Sequence, residues 1–151
     1  MLQLEIKNLN RVMKLAEKYP AIAEARINPA IARALVRVLA SEKQTAPFGV
    51  SGRLRDDWKI ENGRFEGKLQ SNVPYAVAVH EGTRPHFVSA EQLAPWAKKK
   101  GLNPYAVANS IRKKGTKANP FFKKAIDMTE AAINQEFDNA LQLIGEDLSK
   151  I

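Results

Sequence analysis

The sequence predicts an α+β fold in a single domain, residues 1–151, in which a small antiparallel sheet packs against helices and a long helix ends the chain. Three observations predict this class. Residues at about 57–71 alternate polar and apolar side chains around a turn signal, as a β-hairpin does. Residues 20–44 and 90–114 show helical periodicity between Asn, Pro and Gly boundary signals. Strands and helices occupy separate stretches, which is typical of α+β proteins.

The first residues predict a short strand followed by a short helix. The run LQLEI at 2–6 alternates apolar and polar side chains, which indicates a strand. Asn8 then has the character of an N-cap. The apolar stripe of the helix after it is Leu9, Val12, Met13 and Ala16. Pro20 ends this helix or begins the next one.

Residues 20–44 predict a long helix that is interrupted at Asn28-Pro29. Asn followed by Pro is a helix start signal, and a proline inside a continuous helix removes one hydrogen bond. We therefore expect a new start or a kink at Pro29. The apolar face beyond it consists of Ile31, Leu35, Val38 and Leu39.

A hairpin at about 57–71 is the strongest local prediction. Asn62-Gly63 is the expected turn pair, and the strand after it places Phe65, Gly67, Leu69 and Ser71 on one face. A third strand is expected at about 74–80, with Tyr75, Val77 and Val79 pointing inward. The run is short and apolar, so its periodicity also fits a short helix.

Three helices are predicted in the C-terminal half. Ser89 begins one that Pro95 shortens or distorts and Gly101 ends, and Asn103-Pro104 begins another that ends at Gly115. Asn119-Pro120 repeats the start signal. Apolar residues then recur every three, four or seven positions over about thirty residues. This stripe needs a partner, which is the sheet, the helix at 29–44 or a neighbouring subunit.

Composition places the chain among ordinary globular proteins. Apolar residues make up 44% of the chain and charged residues 26%. There is no cysteine, which excludes disulfides, thiolate metal sites and cysteine nucleophiles and suits a reducing cytoplasm. No apolar run approaches the roughly eighteen residues of a membrane span, so we expect no contact with a membrane.

Charge is segregated along the chain. Residues 84–124 hold ten basic side chains and one acidic, whereas residues 125–151 hold one basic and six acidic. A basic segment attracts polyanions or an acidic protein surface, unless the acidic tail folds back on it and cancels much of the field. Its interleaved aromatics would suit a nucleic acid, bound without sequence preference. The candidate polyanion contacts are Lys98, Lys99, Lys100, Arg112, Lys113, Lys114 and Lys117.

Enzymatic and metal chemistry have weak support. His80, Glu81 and His86 are the best available metal ligands, but their spacing is not that of a helical zinc motif. A serine hydrolase would use one of these histidines, yet no G-x-S-x-G element is present. The EGTRP and KKGTK segments do not match a phosphate-binding loop. We expect no catalytic residue, no metal and no cofactor.

Three stretches together resemble a known family. They are PFGVSGRLRDDW at 47–58, VPYAVAVHEGTRPHF at 73–87 and KGTKANPFFKKAI at 114–126. Their order and spacing are similar to the tail-component family of tailed bacteriophages and prophages, which includes minor tail protein Z-like, tail-completion and neck proteins. The matching residues are Ser51, Gly52, Leu54, Arg55, Trp58, Tyr75, Ala76, Val79, His80, Gly82, Thr83, Asn119, Pro120, Phe121, Phe122 and Ala125. Asp57 departs from the pattern, since serine is common at that position.

The resemblance implies assembly rather than catalysis. Members of the family act at the head–tail joint or the top of the tail, usually as ring-shaped oligomers. It implies as partners further copies of the chain and other neck or tail proteins, with non-specific DNA contact in a basic lumen. The location implied is the bacterial host cytoplasm and then the virion. Candidate partner contacts are Arg55, Trp58, His80, Glu81, Thr83, Arg84, His86, Phe121 and Phe122. The same motifs would serve equally to hold the fold together.

Overall fold

The computed structural model describes residues 1–6 and 10–151, with the side chain of Arg11 left out of the description. The class is α+β, as predicted. The elements in chain order are β1 (Leu2–Ile6), α1 (Asn10–Lys18), α2 (Pro20–Thr45), α3 (Arg53–Asp56), β2 (Trp58–Gly63), β3 (Glu66–Ser71), α4 (Ala76–Glu81), α5 (Ala90–Lys100), α6 (Pro104–Lys114) and α7 (Phe121–Leu148). The expected cap at Asn8 and the apolar position Leu9 lie outside the described residues.

The sheet has three antiparallel strands in the order β1-β3-β2. Leu69 of the central strand faces Leu4 on one side and Ile60 on the other. The predicted strand at 2–6 is therefore confirmed, and it occupies the free edge of the hairpin. Gly67, Leu69 and Ser71 share one face of β3, as predicted, and they are buried because this face lies against α2.

The prediction of a third strand at about 74–80 was wrong, because this segment is the short helix α4. The amide of Val79 donates to the Tyr75 carbonyl, which is a helical hydrogen bond. The helix buries Ala76 and leaves Tyr75 exposed, so the expected inward position of Tyr75 was also wrong. Both edges of β3 are taken by β1 and β2, which leaves no edge on β3 for another strand.

The hairpin turn lies two residues later than predicted. Asn62 and Gly63 belong to β2, and the turn is Arg64-Phe65, with Phe65 at φ 57°. The packing of β3 explains the shift. A Cβ at Gly67 would lie 2.8 Å from Leu35 Cδ1, so this strand position needs a glycine under α2. Asn28 of α2 also accepts a hydrogen bond from the Phe65 amide at 2.9 Å.

Helix α2 runs without interruption through Pro29, so the expected new start there was wrong. Its buried side continues across the proline, with Ile27 before it and Ala30 and Ile31 after it. The proline ring lies on the exposed side of the helix. Burial of this continuous apolar side outweighs the loss of one helical hydrogen bond. Asn28 uses its side chain for the hairpin turn rather than as a cap.

The core lies between α2, α7 and the sheet. Helix α7 has 28 residues, close to the predicted length, and its main packing partner is α2. Of the three partners left open by the sequence, the structure therefore selects the helix within the same chain. The largest fully buried side chains are Phe121, Ile27, Ile31, Leu35, Leu69 and Ile144. Helix α1 buries Val12 and Ala16 and leaves Met13 exposed.

Helices α5 and α6 begin and end where the sequence predicted. Ser89 Oγ accepts from the Gln92 amide, and Asn103 Oδ1 accepts from the amides of Tyr105 and Ala106. Gly101 ends α5 in the left-handed conformation at φ 67°. Helix α5 continues through Pro95. We call residues 84–114, which contain these two helices, the arm.

Asn119 was predicted to cap α7, but the capping position is Pro120. The Asn119 side chain instead accepts a hydrogen bond from Lys124 Nζ. Across residues 1–6 and 10–151, no helix is both long and apolar enough to cross a membrane.

Candidate functional site

The three stretches that carry the family resemblance meet at the start of α7. The Trp58 ring stacks on Phe122 with centroids 4.8 Å apart, and the His80 ring meets Phe121 edge-on at 5.6 Å. The amide of Asn119 donates to the Val79 carbonyl at 3.0 Å. Segments that are far apart in the sequence therefore form one contiguous cluster, which we call the α7 junction.

The first stretch is fixed to the α7 junction through its polar side chains. Arg55 Nε donates to the Ala46 carbonyl at 2.7 Å, and the Trp58 indole N–H donates to the Leu54 carbonyl at 2.9 Å. Thr45 Oγ1 donates to the Phe121 carbonyl at 2.8 Å. The first two bonds hold residues 46–58 folded next to the end of α2, and the Thr45 bond joins that end to the first turn of α7.

His80 satisfies the N-terminus of α7. Its Nε2 accepts a hydrogen bond from the Lys123 amide at 3.3 Å, one of the first-turn amides that have no acceptor within the helix. Pro120 occupies the capping position and offers no side-chain acceptor. Because Nε2 accepts, the neutral ring carries its proton on Nδ1, which is buried without a partner in the described part of the chain.

Two glycine–threonine pairs join the second and third stretches. Thr83 and Thr116 exchange both backbone hydrogen bonds at 3.1 Å, and their hydroxyl oxygens lie 2.9 Å apart. Gly82 and Gly115 precede them at φ 75° and 74°. A Cβ on Gly82 would lie 2.6 Å from the Thr116 carbonyl oxygen, and one on Gly115 would collide with the Thr83 carbonyl oxygen. We call this contact the glycine–threonine bridge.

The bridge explains why both loops contain Gly-Thr. Only glycine has the conformation and the space needed for the two backbones to approach this closely. At the level of sequence, the EGTRP and KKGTK segments were compared with a phosphate-binding loop and did not match it. That the two segments pair with each other was not predicted. The bridge brings together the two ends of the arm.

The two histidines have different surroundings. His86 is exposed, and its Nδ1 lies 2.9 Å from the Arg84 carbonyl oxygen and 3.3 Å from Thr83 Oγ1. His80 belongs to the α7 junction. In the part of the chain that the structure describes, no group of three or more histidine, aspartate or glutamate side chains is placed to hold a metal ion.

The candidate partner contacts fall into three groups by exposure. Phe121 and Phe122 are buried in the core, so their prediction as partner contacts was wrong. Arg55, Trp58, His80 and Thr83 are half-buried and engaged within the chain. Glu81, Arg84 and His86 are exposed and remain candidates for partner contact. The three groups differ in burial, which the sequence motifs alone did not predict.

The candidate polyanion contacts are all exposed. Lys99 Nζ lies 4.2 Å from the centroid of the Phe48 ring and donates to the Gly49 carbonyl at 3.2 Å. The others form no ion pair with any residue that the structure describes. Together with Arg84 they form the set of exposed cations in and next to the arm that are unpaired among the described residues, which we call the arm face: Arg84, Lys98, Lys100, Arg112, Lys113, Lys114 and Lys117.

The acidic tail does fold back, but onto α2 rather than onto the basic segment. Glu136 accepts from Arg33 Nε at 2.7 Å and from Arg37 Nη2 at 2.7 Å. Asp147 accepts from Arg26 through both carboxylate oxygens, at 2.8 and 3.1 Å. These hydrogen bonds lower the pKa of both carboxyl groups. The arm face therefore keeps its positive charge.

The aromatic residues of the basic segment divide in the same way. Phe121 and Phe122 are core residues, whereas Phe87 is 80% exposed and Tyr105 72% exposed. Phe87, Tyr105 and Arg112 line one open groove of about 420 Å³ between the loop before α5 and helix α6. Contiguous exposed apolar groups in a groove, rather than single exposed rings, are the feature that marks interaction sites.

Glu42 is a site residue that sequence reasoning missed. It is 0% exposed, and neither carboxylate oxygen has a hydrogen-bond partner among the described residues. The Trp58 indole donates to the Leu54 carbonyl rather than to this carboxylate. Burial raises the pKa of Glu42 to about 7. The sequence did contain a signal for its burial, because Glu42 follows Val38 by four residues and so falls on the apolar side of α2.

Comparison with known proteins gave no relative. A scan against protein-family models found no match, and searches of curated proteins and of solved structures found none either.

Proposed function

We propose that the chain is a structural assembly protein of a tailed phage or prophage, which acts through protein contacts at the head–tail joint or in tail completion. Its place is the bacterial host cytoplasm during assembly and the virion afterwards. The supporting observation is the α7 junction, where all three stretches of the family resemblance meet.

The hydrogen bonds formed by the junction residues support an assembly function. Arg55, Trp58 and His80 each form hydrogen bonds with backbone groups of neighbouring elements. The glycine–threonine bridge then fixes the arm beside the junction. Such an arrangement positions two surfaces, the arm and α7, relative to each other. It suits a protein that docks on other proteins.

The test is deletion of the chain from the phage or lysogen that encodes it, followed by induction and negative-stain electron microscopy. We expect filled heads with missing, incomplete or unattached tails, and recovery of joined particles when the chain is supplied from a plasmid. Supplying the double variant His80→Ala/His86→Ala from the same plasmid tests whether the histidines are needed for a catalytic function. The proposal would be overturned if the wild type turns over a substrate and the folded variant no longer supports particle formation. It would also be overturned if the deletion strain still makes normal infectious particles.

A second candidate is a module that binds nucleic acid without sequence preference. The specific observation in its favour is the arm face, whose cations have no ion-pair partners within the described residues while the acidic tail pairs with α2. Cations of this kind bind phosphates and release counterions, so affinity should fall steeply with salt.

Fluorescence anisotropy with labelled single-stranded and duplex DNA tests this second candidate. Reversing Lys98, Lys99, Lys100, Arg112, Lys113 and Lys114 to glutamate should abolish binding. Absence of binding by the wild type at about 20 mM salt, where charge screening is weak, would exclude it.

A further inference from the structure

The arm face and the outer side of α7 carry opposite charges that do not meet within one copy of the chain. From residue 125 to 149 the sequence contains no lysine or arginine. Glu130 and Asp138 are exposed on α7 and form no ion pair with any residue in the described ranges. The acidic residues that do pair on α7 use Arg26, Arg33, Arg37 and the neighbouring Lys123 and Lys150.

Both surfaces also carry exposed apolar side chains. The groove of the arm exposes Phe87 and Tyr105, and its lining carries one basic side chain, Arg112, and one acidic side chain, Glu91. Helix α7 also exposes the apolar side chains of Met128 and Leu143. We call the exposed set Met128, Glu130, Asp138, Leu143 and Glu146 the α7 outer face. Aromatic and arginine side chains in a groove are the residue types that dominate binding energy at protein interfaces.

We infer that the arm face of one copy docks on the α7 outer face of a second copy, with an exposed apolar side chain of α7 entering the groove between Phe87 and Tyr105. The inference rests on the proposed assembly function and names the contact that it uses. A nucleic acid would account for the arm face alone. A second copy accounts for the cations, the groove, the carboxylates and the exposed apolar residues of α7 together.

The two faces are different, which determines the kind of assembly. A contact between unlike faces leaves each copy with one face of each kind available, so copies can add head to tail. Opposite charges also guide the approach and disfavour contacts between like faces. The basic arm face is thereby covered by protein at each contact.

Two matched variants test the contact by charge reversal. The arm variant is Lys100→Glu with Arg112→Glu, and the helix variant is Glu130→Lys with Asp138→Lys. All four positions are exposed and form no ion pair among the described residues, so we expect both variants to fold, which circular dichroism verifies. The control is Lys14→Glu with Lys59→Glu, which changes net charge as the arm variant does but at exposed positions outside both faces.

Sedimentation velocity over a concentration series at about 20 mM and about 300 mM salt gives the association state. We expect wild type and control to associate at low salt and to weaken at high salt. Each variant alone should associate at least about tenfold more weakly. An equimolar mixture of the two should regain association to within about threefold of wild type, because each reversed face then meets its complement.

The outcomes separate this inference from the proposed function. A wild-type chain that stays monomeric at every concentration, or two variants whose mixture shows no recovery, overturns the inference while the deletion phenotype can still support assembly. If the arm variant loses only DNA binding and self-association is unchanged, the arm face is a nucleic-acid surface and the inference is wrong. If the mixture of the two variants regains association but the deletion strain makes normal particles, the contact is supported and the assembly role is rejected.

Discussion

The body of the molecule, formed by α2, α7 and the sheet, and the arm use the same residue types for different purposes. In the body, arginines pair with Glu136 and Asp147, and Phe121 lies in the core. In the arm, Arg112 has no ion-pair partner in the described residues and Phe87 is exposed. Helices α5 and α6, which the structure describes in full, bury one side chain between them, Ala97. The named charged and aromatic groups of the body therefore pair or pack within the chain, while Arg112 and Phe87 of the arm stay exposed.

The largest expected effect comes from matched phenylalanine substitutions in the two regions. Phe121→Ala removes a fully buried ring and should lower the free energy of unfolding by about 3–5 kcal/mol. Phe87→Ala, at an exposed position of the arm, should change it by less than about 0.5 kcal/mol. Urea denaturation followed by circular dichroism measures both. Equal losses for the two variants would show that the arm is part of the folding core.

Glu42 sharpens the comparison because it is an acidic group of the body whose two carboxylate oxygens have no hydrogen-bond partner among the described residues. Its pKa is raised from 4.5 to about 7, so the folded chain holds a proton that the unfolded chain releases between these values. Well below pH 4.5 both states hold the proton, so the ionisation of this group then makes no difference to the free energy of unfolding. Its cost grows as the pH rises and reaches about 3 kcal/mol above pH 7.

Glu42→Gln should remove that loss of stability between pH 5 and 8, which denaturation at a series of pH values measures. Glu42→Met keeps the side-chain length and removes the charge and the polar atoms. Its free energy of unfolding should also not fall between pH 5 and 8, and above pH 7 it should exceed that of the wild type. A Gln variant that keeps the wild-type slope would mean that another group causes it.

The glycine–threonine bridge is tested by two glycine substitutions. Gly115→Ala forces a Cβ against the Thr83 carbonyl oxygen at φ 74° and ψ −158°, a backbone region used essentially by glycine alone, and should cost about 2–3 kcal/mol. Gly101→Ala is the control, since it has a similar φ of 67° but nothing within 4 Å of its Cβ, and should cost about 1 kcal/mol. Amide hydrogen exchange at Thr83 and Thr116 should accelerate only in the first variant. Unchanged exchange there would contradict the bridge.

The smallest of these effects is expected at the ion pairs between α2 and α7. Glu136→Gln should cost about 1–2 kcal/mol at neutral pH, because Arg33 and Arg37 are half exposed and can be hydrated. Hydrogen bonds from both arginines lower the pKa of Glu136, so its stabilisation is present above the ordinary carboxyl pKa and is lost as the pH falls through the lowered one. The variant should therefore lose less stability than wild type on acidification. Glu130→Gln, exposed on the same helix, should stay within about 0.5 kcal/mol.

Periodicity and capping signals were sufficient for much of the fold. The α+β class, the strand at 2–6, the caps of α5 and α6 and the length of α7 followed from residue patterns that depend on local geometry. The errors at Pro29, at the hairpin turn and at 74–80 share a cause. In each, packing against a distant element outweighed a local signal, as when Leu35 of α2 fixes the position of Gly67.

The site was less predictable than the fold. The motif residues were identified, but their convergence at the start of α7 depends on tertiary contacts such as Trp58 with Phe122. The pairing of Gly82-Thr83 with Gly115-Thr116 joins residues 33 positions apart, for which one sequence carries no signal. The unpaired state of the arm face likewise depended on where Glu136 and Asp147 found their partners.

Because the bridge closes the chain at Thr83 and Thr116, the thirty-odd residues between them form an insertion whose two ends are already adjacent. A short linker could span those ends, and the body would fold around it with its own core unaltered. Such an insertion can change in length, charge and groove without refolding what supports it.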